Sequence, residues 1–394
     1  MNDLKEKIKE LTLSFLPEII GFRRWLHQHP ELSFKEYETS RFISQKLDDM
    51  GIPYTRGHVG TGIIATFTGI SSKGKVIALR ADMDALPIEE ENELDYKSVN
   101  KGIMHACGHD AHVASLLGTA LILKELREHW HGTVILIFQP GEEVLPGGAS
   151  QIINAGDLNN PKPDMIIGQH VFSELECGQV GFRKGIYMAS GDEIFISVNG
   201  KGGHAAMPHT INDTVFTAAQ IIVNLQQNIS RTVPATIPTV LSFGKIEANG
   251  AVNVIPNVVK IEGTLRTMNE KWRAIIKEKI VSVAESTASS MGCSCSVLIK
   301  DGYPTIYNNE DITEKAIKFA KIFLNETNVK EIDLSMTTED FGYYSQNFPA
   351  TFYRFGIKNR DYDIGLLHSS RFNLDEASLE TSVGLMSWLA INFL

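Results

Sequence analysis

Leu4, Ile8, Leu11, Phe15, Ile19, Phe22 and Leu26 recur at intervals of three or four residues. That is the period of one helix face, and it predicts an amphipathic opening helix with a kink at Pro17. After Gly51-Ile52-Pro53 the pattern shifts to short apolar runs at 62–67 and 75–79, read as strands. A helix over about 111–128 and a strand over 133–138 follow. The texture changes again near Arg183-Lys184-Gly185. Residues 193–198 read as a strand, 214–227 as a helix, 239–246 and 258–265 as strands, 270–291 as a helix and 294–300 as a strand. This βαββαβ series can close its own antiparallel sheet under two helices. Beyond it come a helix at 311–325, a short strand at 350–355 and an apolar helix at 378–394. The expected fold is therefore α/β, a mixed central sheet flanked by helices over 1–185 and 301–394. A ferredoxin-like satellite over 186–300 is expected as an insertion.

Composition narrows the partners. The 394 residues are 43% hydrophobic and 21% charged, ordinary for a globular chain, and carry a formal charge of −10. An acidic balance disfavours nucleic acid, whose phosphates need a basic footprint, and points to small molecules. Apolar runs such as 134–138 fall far short of the roughly 20 residues that span a bilayer. The charged start, Asn2-Asp3-Leu4-Lys5-Glu6-Lys7, lacks the apolar core of a secretory signal, so no membrane association and a cytoplasmic location are expected. Cys107, Cys177, Cys293 and Cys295 are too few for a disulfide framework and read as reduced thiols.

Two phosphate-loop lookalikes fail. Gly69 to Lys75 has P-loop spacing, but Val76 stands where a magnesium-binding hydroxyl belongs; the glycines at 60 and 62 precede a strand-like run instead of opening a helix. The dense segment is Met104-His105-Ala106-Cys107-Gly108-His109-Asp110-Ala111-His112, where a thiol and three imidazoles crowd together just before a helix. Thiolate and neutral imidazole are zinc-type ligands. Gln139-Pro140-Gly141-Glu142-Glu143 follows an apolar strand, and its adjacent carboxylates can divide labour between metal binding and base catalysis. His170 and His368 each close an apolar run. Singly these are ordinary polar residues. Together, Cys107, His109, Glu143, His170 and His368 all lie outside the expected insertion and can hold two divalent ions.

With these segments, Trp25-Leu26-His27-Gln28-His29-Pro30-Glu31-Leu32-Ser33-Phe34 and Leu79-Arg80-Ala81-Asp82-Met83-Asp84-Ala85-Leu86-Pro87, the whole chain resembles a known family. These are the dinuclear-metal amidohydrolases and peptidases of aminoacylase, hippurate hydrolase, carboxypeptidase G and plant indoleacetyl-amino-acid hydrolase type. The resemblance is strongest to the hippurate and indoleacetyl-amino-acid branch. It implies that Cys107 lies between two metals, with Glu143 and His368 on one and His109 and His170 on the other. It makes Glu142 the general base and Asp84 a supporting carboxylate, and leaves the roles of Asp82 and Asp110 open. Thiolate favours zinc while the nitrogen and oxygen ligands accept manganese, so one of these two is expected, with cobalt or nickel as alternatives.

In the insertion, glycines before His204 let backbone approach a ligand, and its imidazole can donate to an oxyanion. Asn253 and Arg266 offer an amide and a guanidinium to a carboxylate. The resemblance implies a homodimer through this segment, with His204 and Asn253 reaching the neighbouring subunit's site. The expected activity is hydrolysis of an N-acyl-amino acid to a carboxylic acid and a free amino acid. The alternatives are a metallo-exopeptidase, an N-acetyl-diaminopimelate deacetylase and, lastly, a non-catalytic binding protein.

Overall fold

The computed structural model of the chain describes residues 2–361 and 363–394. Contacts divide it into two units: Met1–Ile186, Tyr307–Leu334 and Asp340–Leu394 form the first, and Tyr187–Ile306 with Ser335–Glu339 the second.

The first unit opens with α1 (Asn2–Gln28) and α2 (Tyr37–Met50), then β1 (Tyr54–His58), β2 (Gly62–Thr68) and β3 (Val76–Asp82). The long α3 (His109–Glu125) leads to β4 (Thr133–Gln139), α4 (Gly148–Ala155), β5 (Met165–Glu176) and β6 (Val180–Phe182). Helix α1 runs on past Pro17. Pro17 and Leu13 are both exposed, so the carbonyl that loses its helical donor can turn to water. Ile8, Ile19, Phe22 and Leu26 are buried, as their spacing predicts. Helix α2 escaped the sequence reading because its stripe is broken by Thr39, Ser40 and Ser44, polar residues that are nevertheless buried.

The second unit contains β7 (Ser190–Asn199), β8 (Gly203–His204), α5 (Thr214–Thr232), β9 (Thr239–Glu247), β10 (Val254–Ile255), β11 (Val258–Thr267), α6 (Glu270–Ser290) and β12 (Ser294–Asp301). Its four-stranded sheet has the order β9-β11-β7-β12, all pairs antiparallel. Ile194, Ile196 and Val198 alternate inward on β7 and share a core with Ile221 and Leu225 of α5 and Ile276 and Ile280 of α6. Strands β8 and β10 form a separate two-residue ribbon. Ser335 joins this unit by exchanging backbone hydrogen bonds with Tyr187 and Ala189.

The first unit resumes with α7 (Glu310–Leu324), β13 (Val329–Glu331), α8 (Phe341–Asn347), β14 (Ala350–Lys358) and α9 (Ser378–Phe393). Its eight strands run β1-β2-β4-β3-β5-β14-β6-β13. The central pairs β4–β3, β3–β5 and β5–β14 are parallel, and β1–β2 and β2–β4 antiparallel, so the sheet is mixed. Every residue of β4 is buried, as expected of a central strand covered on both faces. Helices α1, α3 and α9 pack on one another, and α4 packs on α8. Among the described residues no helix is long and apolar enough to cross a membrane.

Candidate metal centre

Parallel β3 and β4 leave the sheet at the same end, with Asp82 opposite Gln139. Loops at the carboxyl ends of parallel strands are where α/β sheets build sites. Asp84 lies two residues past β3, and both of its carboxylate oxygens are used by the loop after β4. Oδ1 accepts the Glu142 N–H and Oδ2 the Glu143 N–H, each at 3.0 Å. Oδ2 also accepts the Ser33 hydroxyl at 2.6 Å. Buried Glu36 continues the series, accepting the Gly141 N–H at 2.9 Å, the Phe34 N–H at 2.9 Å and the Thr61 hydroxyl at 2.6 Å. Three successive amides thus hang on two buried carboxyl groups, which fixes where Glu142 and Glu143 point. Gly141 has φ of 63°, and a Cβ there would fall 2.3 Å from the Phe34 ring. No other residue fits that turn.

Gly108, between Cys107 and His109, has φ of 81° and abuts Val171, which a Cβ would meet at 2.8 Å. This close approach brings the start of α3 onto β5. His109 Nδ1 donates to the Asp84 carbonyl at 2.9 Å, and His170 Nδ1 to the Val171 carbonyl at 2.8 Å. Each ring is thereby set to present Nε2 as a lone pair, the arrangement in which histidine binds metal. His170 Nε2 lies 3.5 Å and His368 Nε2 3.3 Å from Cys107 Sγ. His368 Nε2 is also 3.3 Å from Glu143 Oε1. His368 holds φ of 61°, rare for a side chain with a Cβ, and its N–H is bonded to the Ala106 carbonyl at 2.8 Å. Backbone strain of this kind costs roughly 1–3 kcal/mol and collects at functional sites.

Two donor groups therefore share one thiol, with ligand atoms within 4.8 Å of one another: Cys107, His109 and His170, and Cys107, Glu143 and His368. The buried Nε2 of His109 and Oε1 of Glu143 make no hydrogen bond. Burial, and then Glu143, push the Cys107 thiol up. Burial disfavours charge on His109 too, but Asp82 and Cys107 outweigh it and raise its basicity well above the ordinary value. For His170, burial and then Arg354 drive it well below, toward the neutral form that ligates. Orphaned donor atoms, two anchored rings and a thiol that needs a cation to ionise fit divalent metal. Glu142 is 6% exposed, with Oε1 3.4 Å from the Asp340 amide and Oε2 4.0 Å from His109 Nε2.

Seven of the ten residues singled out in the sequence, Cys107, His109, Glu142, Glu143, His170, His368 and Asp84, gather in the first unit. The other three belong to the second. His204 is exposed on β8, and its Nδ1 accepts the Ala206 N–H at 3.1 Å, leaving Nε2 to donate. Asn253 lies beside it, its carbonyl accepting the Ala205 N–H at 3.0 Å. Arg266 sits apart on β11 and donates to Thr338 at 2.8 Å. Asp110 is not in the centre; it is buried on Arg23 and His27, each at 2.8 Å. Glu36 and Ser33 were missed, because a glutamate near a helix start looks like any capping or surface residue.

A shared thiol flanked by imidazole and carboxylate, at the strand ends of a mixed α/β sheet, is the donor set of a metal-dependent hydrolase. The chain belongs to peptidase family M20/M25/M40, which matches residues 78–392. It is 40% identical over 379 residues to the N-acetyl-L-cysteine deacetylase of Bacillus subtilis, spanning 95% of this chain and 88% of that one. It is 41% identical over 307 residues to an N-acyl-L-amino acid amidohydrolase of Geobacillus stearothermophilus, spanning 78% and 82%. Among solved structures it superposes on a dinuclear metal-binding M20 peptidase of Bacillus subtilis with a TM-score of 0.83 and 34% identity, covering 96% of this chain and 98% of the other.

Proposed function

We propose that the protein hydrolyses the amide of N-acyl-amino acids, releasing a carboxylic acid and a free amino acid, with two divalent ions held by Cys107, His109, Glu143, His170 and His368. The observation that carries this reading is the pair of three-residue donor groups meeting at Cys107 Sγ. When bound, such ions polarise a carbonyl and acidify water. Manganese or zinc suits the donors, with cobalt or nickel as alternatives. Glu142, pinned through its amide to Asp84, takes the proton of the attacking water and returns it to the departing nitrogen. Asp84 supports the loop and the His109 ring. His204, with Nε2 free to donate, steadies the tetrahedral oxyanion, and Asn253 and Arg266 grip the substrate carboxylate.

In the same reading, 1–185 with 301–394 is the catalytic domain and 186–300 a ferredoxin-like satellite through which two copies pair. The strand order and the two helices of the second unit support that topology. His204 and Asn253 would then serve the centre of the other copy, and the enzyme would work in the cytoplasm. The test is amino-acid release from hippurate, N-acetyl-methionine, N-acetyl-cysteine, N-acetyl-diaminopimelate, indoleacetyl-alanine and a dipeptide, using chelator-treated enzyme with and without manganese or zinc. Metal-restored cleavage of an acylated amino acid supports the reading. Cleavage of the dipeptide alone makes it an exopeptidase, and none with any metal overturns it.

A further inference from the structure

His112 lies one helical turn beyond His109 on α3 and is fully buried, yet nothing so far uses it. Both of its ring nitrogens are committed. Nε2 accepts the Val171 backbone N–H at 3.0 Å, and Nδ1 faces Asp82 Oδ1 at 2.5 Å. The other oxygen of Asp82 accepts from Arg80 at 2.6 Å. Since an amide N–H can only donate, Nε2 carries no proton, and the single ring proton sits on Nδ1, given to Asp82. His112 is therefore a neutral imidazole of one defined tautomer. Asp82, His109 and His112 lie close enough to suggest a third donor group. His112 has no lone pair left for it.

The Val171 amide is in an unusual place. The β3–β5 ladder ends at the pair Arg80–Gly168, so beyond it β5 has no β3 partner. His112 supplies the missing acceptor three residues on. The carbonyl of the same residue, Val171, holds the His170 ring through Nδ1 at 2.8 Å. The His112 ring also packs on both imidazoles, with centroids 5.5 Å from His109 and 4.6 Å from His170, which lie 6.1 Å from each other. Helix α3, which carries His109, and strand β5, which carries His170, are thus tied together beside both imidazoles, in addition to the bond from Gln169 to Ser115 at 2.6 Å further along the helix.

We propose that His112 is a positioning residue, a neutral Nδ1–H clamp between Asp82 and the Val171 amide that keeps His109 and His170 aimed at Cys107 Sγ. This rests on the two-ion reading above. Supporting contacts of this type change metal affinity by roughly 10–100-fold.

The experiment titrates metal-depleted wild type, H112F and H112Q with zinc against a chromophoric chelator. H112F keeps an aromatic ring and loses both hydrogen bonds; H112Q can return an acceptor to the Val171 amide. We expect H112F to bind one of its two zinc ions 10–100-fold more weakly and the other unchanged, with H112Q recovering part of the loss. Two ions bound by H112F as tightly as by wild type would overturn the proposal alone. A wild type that binds no zinc, manganese or cobalt would overturn the two-ion reading and this inference with it. Should H112F not fold, the wild-type zinc enzyme with nitrogen-15 histidine decides. A His112 ring, assigned by its absence in H112Q, protonated only on Nδ1 agrees; a proton on Nε2 overturns.

Discussion

The backbone N–H of Gly141 is bonded at 2.9 Å to the buried carboxyl of Glu36, a residue 105 positions earlier in the chain. Burial, and then the neighbouring Asp84, push that carboxyl up from 4.5 to about 7. The folded state holds the proton more tightly than the unfolded one, so ionising Glu36 lowers stability as pH rises from about 4.5 to 7. In metal-free protein, E36Q should therefore gain on wild type by on the order of 2 kcal/mol between pH 5 and pH 8. E36A should lose at both, because buried amides are left without an acceptor. Urea unfolding at the two pH values measures this; an E36Q difference that does not change with pH would refute it.

Glu142 is not among the donors that share the thiol, so E142Q should keep its metal and lose its chemistry. The expected fall in kcat is roughly 10²–10⁴-fold, the usual worth of a general base. Metal content by mass spectrometry should match wild type. Turnover within tenfold of wild type would remove Glu142 from the role.

Because both donor groups use the same Sγ, C107A should lose affinity for both ions, whereas H368A should weaken only one. Equilibrium dialysis with zinc separates the outcomes. A C107A protein that still held two ions as tightly as wild type would show that the thiol is a bystander.

Metal uptake should release protons. In metal-free protein, the contact with Cys107 and then the Glu143 carboxylate 3.3 Å away raise the His368 imidazole to about 10, and burial pushes the Cys107 thiol up. At pH 7 His368 is an imidazolium and Cys107 a thiol, and both must lose a proton to bind. Affinity should rise with pH from neutrality through about 10, where His368 loses its proton. His109, held well above its ordinary value by Asp82 and Cys107, must give up a proton as well, so titration calorimetry in buffers of different ionisation enthalpy should give a net release of about three protons per centre; none released would contradict the donor assignment.

The centre was legible where chemistry is dense. Cys107 and His109 stand two apart before a helix, and Glu142 and Glu143 stand at a strand end; each alone had an ordinary reading, and it was their number outside the expected insertion, with the family resemblance, that singled them out. The supporting layer was not. Glu36, Ser33 and His112 meet the Gly141 amide, the Asp84 carboxylate and the Val171 amide, which come near only after folding. Helix α2 was missed for a related reason, since its buried Thr39, Ser40 and Ser44 erase the apolar stripe. The βαββαβ series of the second unit was readable because each element carries its own period. The membership of Ser335–Glu339 in that unit was not, since it depends on a strand-like exchange with Tyr187 and Ala189 rather than on any local pattern.

His368 and Cys107 lie 261 positions apart, and this spacing imposes an order of events on biosynthesis. At about 5–20 residues per second, Cys107 leaves the ribosome on the order of 10–50 s before the imidazole that completes its surroundings. The earlier donors must wait through the making of the entire second unit, and the long loop between them has to close before the last contact forms. A nascent chain halted between residues 143 and 368 carries the thiol and the acidic loop together, but never the His368 ring that lies 3.3 Å from both.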